Sequence, residues 1–456
     1  MDLIIKNGIV VSATGEYKAS IGIAGEKIVK IGHRMEEHAE KVIDAAGKYI
    51  FPGLIDAHTH FQLPTASGYT SADSFASGSL AAARGGVTTF IDFVHQSRGQ
   101  ALTEAVSLRL AEARDQAHID YAFHLAPTDM KSDTVETLTR LAGEGFCSYK
   151  VYLAYRDLML EPEEITALLE LSTRVNAITG FHAEDFPAIE EKTAELAAEG
   201  KLNFRYHPES RPGFTEAAGI EQALKLGADT EAKIYFFHVS TLTGLEKILQ
   251  AKKKRQYVMA ETTPNYLLLN EEKYNQEDGY LYVLTPPLRS REDSRQLWYA
   301  LVENAVQVIA TDHCPFTRAE KAAHRDDFRK IPNGLPGVET TLMLLYSEGV
   351  RKNKLLLRHI AALTSFQPAV IFGLYPRKGT IREGSDADLV IFDPNKTLTL
   401  CPENLLGKAD YSPFQGLEVK GAPWMTLSRG EVVCVDGECH GEPGRGRLLK
   451  RELKYS

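Results

Sequence analysis

Over the first fifty residues, apolar and polar positions alternate in short runs, LIIKNGIVV, ASIGIAGEKIVKIG and KVIDAAGKYIF, interrupted by glycines. Period-two alternation with glycine-containing turns predicts antiparallel β structure. The same texture returns in GTIREGSDADLVIFD (379–393) and MTLSRGEVVCVDGE (425–438). Each segment is too small for a core of its own, so the two are predicted to join into one small β-sandwich. Between them the pattern changes. Eight short β-rich runs recur: GLIDAHTH, VTTFIDFV, IDYAFHLAP, FCSYKVYLAY, AITGFHAED, KIYFFHVS, QYVMAETTP and VQVIATDHCP. Helix-like stretches such as SFASGSLAAARGG, ALTEAVSLRLAEARDQA and PEEITALLELSTRVNA separate most of them. Strand and helix in alternation predict parallel βαβ units, and eight of them an α/β chain with a (β/α)8 barrel. Such a barrel carries its active site at the C-terminal ends of its strands. The expected division is 1–52 and 379–440 for the sandwich, 53–378 for the barrel, and 441–456 for a tail.

Composition narrows the function. The 456 residues are 43% hydrophobic and 25% charged, as in ordinary globular proteins. A net charge of −9 gives no basic footprint for nucleic acid. The run KKKR at 252–255 is expected to be a solvated helix end. No apolar stretch approaches the roughly 20 residues that span a membrane, and MDLIIKNGIVV reads as a strand and not as a signal peptide. Five cysteines (147, 314, 401, 434, 439) form no framework, so reduced thiols and a cytoplasmic location are expected. The tail GRGRLLKREL is expected either to reach a neighbouring subunit or to fray.

The candidate chemistry sits at the ends of the β-rich runs. His58 and His60 close the first, and residues two apart on a strand project from one face. Lys150 lies in the fourth run, His182 near the end of the fifth, His238 at the end of the sixth and Asp312 at the end of the eighth. If the barrel is right, all six converge on one pocket, which points to metal binding. Lys150 stands apart, because an ammonium repels a metal. Beside cations its neutral amine is favoured, and a neutral amine captures carbon dioxide as a carbamate, an anion suited to bridging two metals.

Over nearly its full length the chain resembles the cyclic amidohydrolases of the hydantoinase/dihydropyrimidinase group. The stretches that carry the resemblance are PGLIDAHTH, YKVYLAY, HAED, HVS, ETTPNYLLL, TPPLR, ATDHCPF, IPNGLPGVE and GSDADLVI. The resemblance implies that His58 and His60 bind one zinc, that His182 and His238 bind the other, that carbamylated Lys150 bridges both, and that Asp312 completes the first site. It also implies a homotetramer.

The expected reaction is attack of a metal-bridged hydroxide on a ring amide of a cyclic ureide or imide, with Asp312 as general base and then acid. Hydantoins or dihydropyrimidines are thereby opened to N-carbamoyl amino acids. Tyr155 resembles the group's tyrosine that hydrogen-bonds the developing oxyanion. Thr285 and Asn333 match positions that hold the ring's imide edge through backbone groups, serine being commoner at the first. Leu63, Tyr152, Leu158 and Met159 are candidates for a side-group pocket, because loops after barrel strands carry specificity. Gln62 stands where dihydroorotase-like relatives have a carboxylate-gripping arginine, which lowers that reading. Allantoin hydrolysis, and a non-enzymatic assembly role on the same scaffold, are the alternatives. His95 and His124 lie near strand ends but are not needed for the metals, and His207 is expected in a loop, RYHPESRP.

Overall fold

The computed structural model describes residues 1–65 and 67–454. Eight strands, Leu54–Asp56, Val87–His95, Asp120–Ala126, Ser148–Tyr152, Ile178–His182, Lys233–Phe236, Val258–Thr262 and Val308–Ile309, pair in the order of the chain. Every pairing is parallel. A bridge between Thr59 and His313 joins the first strand's end to the eighth's, closing the barrel that the eight β-rich runs predict.

The strands read as apolar runs because both of their faces are covered. Along the second strand, Phe90 and Val94 pack outward against helices, whereas Ile91 and Phe93 fill the interior. Ile234 and Phe236 face out, and Tyr235 and Phe237 face in. The intervening helices start where the local chemistry dictates. Ser74 caps Phe75–Arg84 in a reciprocal box with Ser77, and Ser290 does the same for Arg291–Val302 with Asp293. The KKKR run ends the helix Leu242–Lys253 as expected, although Lys252 folds back to donate to the Ala305 carbonyl at 2.8 Å.

Both ends of the chain build one nine-stranded sheet. They meet where Tyr49–Pro52 pairs antiparallel with Leu389–Thr399, Val390 opposite Phe51. Alternation then separates two environments. Leu389 and Ile391 enter the sheet's own core with Ile5, Ile21 and Leu427, whereas Val390 and Phe392 pack on the barrel side. Buried Lys378 locks the two units together, its Nζ 2.7 Å from Asp120 of the barrel and 3.0 and 2.6 Å from Asp386 and Asp388 beside the sheet.

Two expectations need correction. The tail does not fray over residues 446–453. It runs beside the third barrel strand, with Tyr121 N–H donating to the Arg447 carbonyl at 3.0 Å and Leu449 N–H to the Tyr121 carbonyl at 2.8 Å. Leu449 and Leu453 join the barrel's interior apolar cluster, and buried Arg451 donates to Ser148 Oγ at 2.9 Å and to the Phe123 carbonyl at 2.5 Å. Burying each leucine stabilises by roughly 1.5–3 kcal/mol. The cysteines are not all free thiols either. Cys434 and Cys439 are cross-strand neighbours in a hairpin, with Cα atoms 4.0 Å apart, and form a disulfide. Cys147, Cys314 and Cys401 are free.

Candidate active site

Buried polar anchors hold the first strand's end. Asp56 accepts from His58 N–H at 3.2 Å and from the Thr311 N–H and hydroxyl at 3.1 and 2.6 Å, clamping the first strand to the eighth. Asp92, paired with buried Arg109 at 2.7 Å, accepts from the Thr59 hydroxyl and the Phe61 N–H. The HTHF segment is thereby fixed from both sides.

His58 and His60 turn to one point, their Nε2 atoms 3.1 Å apart. Asp312 Oδ1 lies 3.1 Å from the first and 3.2 Å from the second. The residue that carries this carboxylate has a left-handed backbone, φ 51°, and His238 has φ 40°, conformations that cost a side-chain-bearing residue strain and cluster at functional sites. The His182 and His238 rings are 4.6 Å apart, and His238 is 5.4 Å from His58, centroid to centroid. Lys150 Nζ sits among them, buried, 3.7 Å from the Phe237 ring centroid and 4.9 Å from that of Tyr152. Burial pushes its amine down to about 7, against the pull of Asp312 and Glu261. Burial likewise holds His58, His182 and His238 below the ordinary imidazole range, so they present neutral lone pairs.

These groups fit a cation. His58 Nδ1 is engaged by Glu261 at 2.5 Å, which leaves Nε2 a bare acceptor facing a carboxylate oxygen and a second imidazole. Acceptors so placed repel one another unless a positive charge lies between them. His58, His60 and Asp312 each offer a ligand atom, all within 4.8 Å of one another. The His182 and His238 pair stands beside this trio and outside it.

The half-buried Tyr155 ring lies 5.1 Å from His182, and burial raises its hydroxyl to about 12. Thr285 and Asn333 stand on two loops joined by the Gly334 N–H donating to the Val283 carbonyl at 3.1 Å. The Thr285 side chain faces the Tyr155 hydroxyl, and buried Asn333 Oδ1 lacks a hydrogen-bond partner among the described residues. Tyr152 and Met159 pair in a bridge, and Leu158 is half-buried next to them. Leu63 belongs to a separate loop, in which its carbonyl accepts from Ser71 N–H at 2.8 Å. Gln62 donates its N–H to the Asp73 carbonyl at 2.7 Å and has φ 51°.

The sequence reading missed the groups behind this front. Glu261 and Glu184 bond the ring nitrogens of His58 and His182 at 2.5 and 2.8 Å, and Arg211 secures Glu184 at 2.7 Å. Both glutamates stand in quoted stretches, Glu261 in ETTPNYLLL and Glu184 in HAED, where only His182 of the second drew attention. His95 bonds the Tyr152 hydroxyl at 2.7 Å, His124 joins Ser148 Oγ to the Ala57 carbonyl, and His207, placed in a loop by the sequence, begins the short helix His207–Ser210 and holds the Leu284 carbonyl at 2.8 Å.

Residues 49–433 match the amidohydrolase family. A D-hydantoinase of Ralstonia pickettii is 40% identical over the whole of both chains, and a D-phenylhydantoinase of Escherichia coli is 39% identical over 99% of this chain and 98% of its own. The crystal structure of a dihydropyrimidinase from Brevibacillus agri superposes with a TM-score of 0.98 at 38% identity, covering all of both chains. With such matches end to end, and with a histidine pair and an aspartate at the strand ends where metal-dependent hydrolysis needs them, the chain belongs to the amidohydrolase family, as a metal-dependent cyclic amidohydrolase of the hydantoinase/dihydropyrimidinase group.

Proposed function

We propose that this chain hydrolyses the ring amide of 5-substituted hydantoins, preferring the D enantiomer, and releases the N-carbamoyl amino acid. The observation that carries the reading is the convergence of His58, His60 and Asp312 on one point, in a chain whose full-length relatives are named D-hydantoinase and D-phenylhydantoinase. His58, His60 and Asp312 would hold one zinc-type ion and His182 and His238 a second. Lys150, as a carbamate, would bridge the two; its buried amine has the lowered basicity that addition to carbon dioxide requires. When bound, two such ions supply Lewis acidity toward the ring carbonyl and make hydroxide available near neutral pH.

The chain's own residues do the rest. Asp312 takes the proton of the attacking water and delivers it to the departing ring nitrogen, as base and then acid. Water is thus added across the C–N bond, its oxygen on carbon and its hydrogen on nitrogen. Tyr155 keeps its proton through the neutral range and donates it as a hydrogen bond to the oxygen on which charge develops. Backbone groups near Thr285 and Asn333 hold the imide edge, and Tyr152, Leu158, Met159 and Leu63 receive the 5-substituent. A homotetramer and a cytoplasmic location belong to the same reading. Among the described residues no helix is long and apolar enough to cross a membrane.

Turnover of D- and L-5-phenylhydantoin, dihydrouracil and allantoin by zinc-loaded protein tests the substrate. The D-hydantoin is expected to give the highest kcat/KM. A preference for allantoin overturns the assignment.

A further inference from the structure

Glu261 is the penultimate residue of the seventh barrel strand and is completely buried. Its Oε1 lies 2.5 Å from His58 Nδ1, 203 residues away in the chain, and accepts the His238 backbone N–H at 3.2 Å. Its Oε2 accepts the Tyr235 hydroxyl at 2.8 Å. One carboxylate therefore touches a residue from each of the two proposed metal positions. Glu184 contrasts with it. That carboxylate bonds His182 Nε2 at 2.8 Å and Arg211 at 2.7 Å, and so serves a residue of the second position alone.

We propose that Glu261 is a positioning residue that couples the two metal positions. It holds the Nδ1 proton of His58, so that the Nε2 lone pair faces His60 and Asp312, and it anchors the left-handed backbone of His238, φ 40°, which aims that ring. Carboxylates behind metal-bound imidazoles fix tautomer and ring orientation and raise ligand basicity. Glu261 does this for one position through a ring nitrogen and for the other through the main chain. The Tyr235 hydroxyl fixes the carboxylate itself. The inference rests on the two-metal reading given above.

The test counts metal instead of turnover. Zinc-loaded protein is dialysed against a graded series of chelator concentrations, and zinc per chain is measured by mass spectrometry. Glu261→Gln keeps the shape and an acceptor for His58 but replaces the second carboxylate oxygen by an amide nitrogen. It is expected to release both ions at about 10–100-fold lower chelator concentration than the wild type. Glu184→Gln is expected to release one ion early and keep the other. The visible spectrum of the cobalt-substituted protein is expected to change in Glu261→Gln, a shift that a purely structural role would not produce. Tyr235→Phe leaves the carboxylate and removes one of its donors, so a smaller shift of the same sign is expected, and this variant decides the matter if the glutamine variant does not fold. Wild-type zinc retention in the folded variants, or loss of a single ion in Glu261→Gln, overturns the proposal. Wild-type protein that takes up no zinc overturns instead the metal reading beneath it.

Discussion

His313 Nε2 lies 3.0 Å from Asp73 Oδ2, while its other ring nitrogen accepts the N–H groups of Gly337 and Val338 at 3.0 and 3.2 Å. This imidazole thus stands between its neighbour Asp312 and the loop that follows Asn333. His313→Ala removes the acceptor for two backbone amides and frees that loop to shift. A displacement of about 1 Å costs ~10²-fold in rate. The expected outcome is a kcat/KM lower by about that factor, with zinc content unchanged. Steady-state kinetics on a 5-substituted hydantoin and a metal count check both halves.

Lys150 is expected to be indispensable and modified. Lys150→Ala should abolish turnover and lower zinc below two ions per chain. Intact-mass measurement on the active, metal-loaded wild type should reveal the carbamate, and an unmodified amine there refutes the bridge. Chelation should inactivate the wild type, and added zinc with bicarbonate should restore it.

Tyr155→Phe deletes one hydroxyl and leaves the ring. A donor aimed at developing charge is worth roughly 3 kcal/mol, so kcat should fall ~10²-fold. KM should change little, because the interaction strengthens only in the transition state. A raised KM with kcat unchanged would instead assign the hydroxyl to ground-state binding.

The sheet–barrel junction sets an acid limit. Burial acts to raise the Asp386 carboxyl, but Lys378, Lys27 and Arg377 prevail and hold it at about 2. Its folded pKa therefore lies below that of the unfolded chain, which binds the proton first as pH falls. The stability this group contributes is present above about pH 4 and is lost on the way down to pH 2. Melting curves between pH 7 and 3 should show a steeper loss for the wild type than for Asp386→Asn, which starts from a lower Tm at neutral pH.

Arg451 secures the barrel floor. Arg451→Ala leaves Ser148 Oγ and the Phe123 carbonyl short of a donor in a buried place, at a cost of roughly 1–3 kcal/mol. Urea unfolding should show that loss, and an unchanged midpoint would mean that the tail is held by its leucines and its main-chain hydrogen bonds.

The barrel was legible because its strands are buried on both faces, and a polar residue ending such a run stands out against eight neighbours of the same kind. His58, His182, His238 and Asp312 stood out that way; Asp312 meets His58 and His60 at one point, and the His182 and His238 pair stands beside them. Glu261 sat in an equally buried run but read as the end of a strand, since its partner His58 is 203 residues off and no local pattern encodes that distance. Asp73 lies before a helix start, where an acid needs no explanation beyond the helix terminus, and its bond to His313 is hidden for the same reason. The tail misled more seriously. GRGRLLKREL looks solvated by composition, yet the chain places Leu449 and Leu453 inside and gives Arg451 two buried acceptors. The disulfide escaped because five cysteines without spacing say nothing of which two face each other across a hairpin.

The floor of the barrel has a consequence for how the protein is born. Residues 446–453 are synthesised after every strand they underpin, and the strand Leu389–Thr399 must find Tyr49–Pro52 across more than three hundred residues of chain. During translation the nascent barrel therefore waits, open at the bottom, with its aromatic interior available to strangers. Closure of such distant contacts is slow, and the interval is one in which aggregation competes. A chaperone's help should matter most before residues 446–453 have docked.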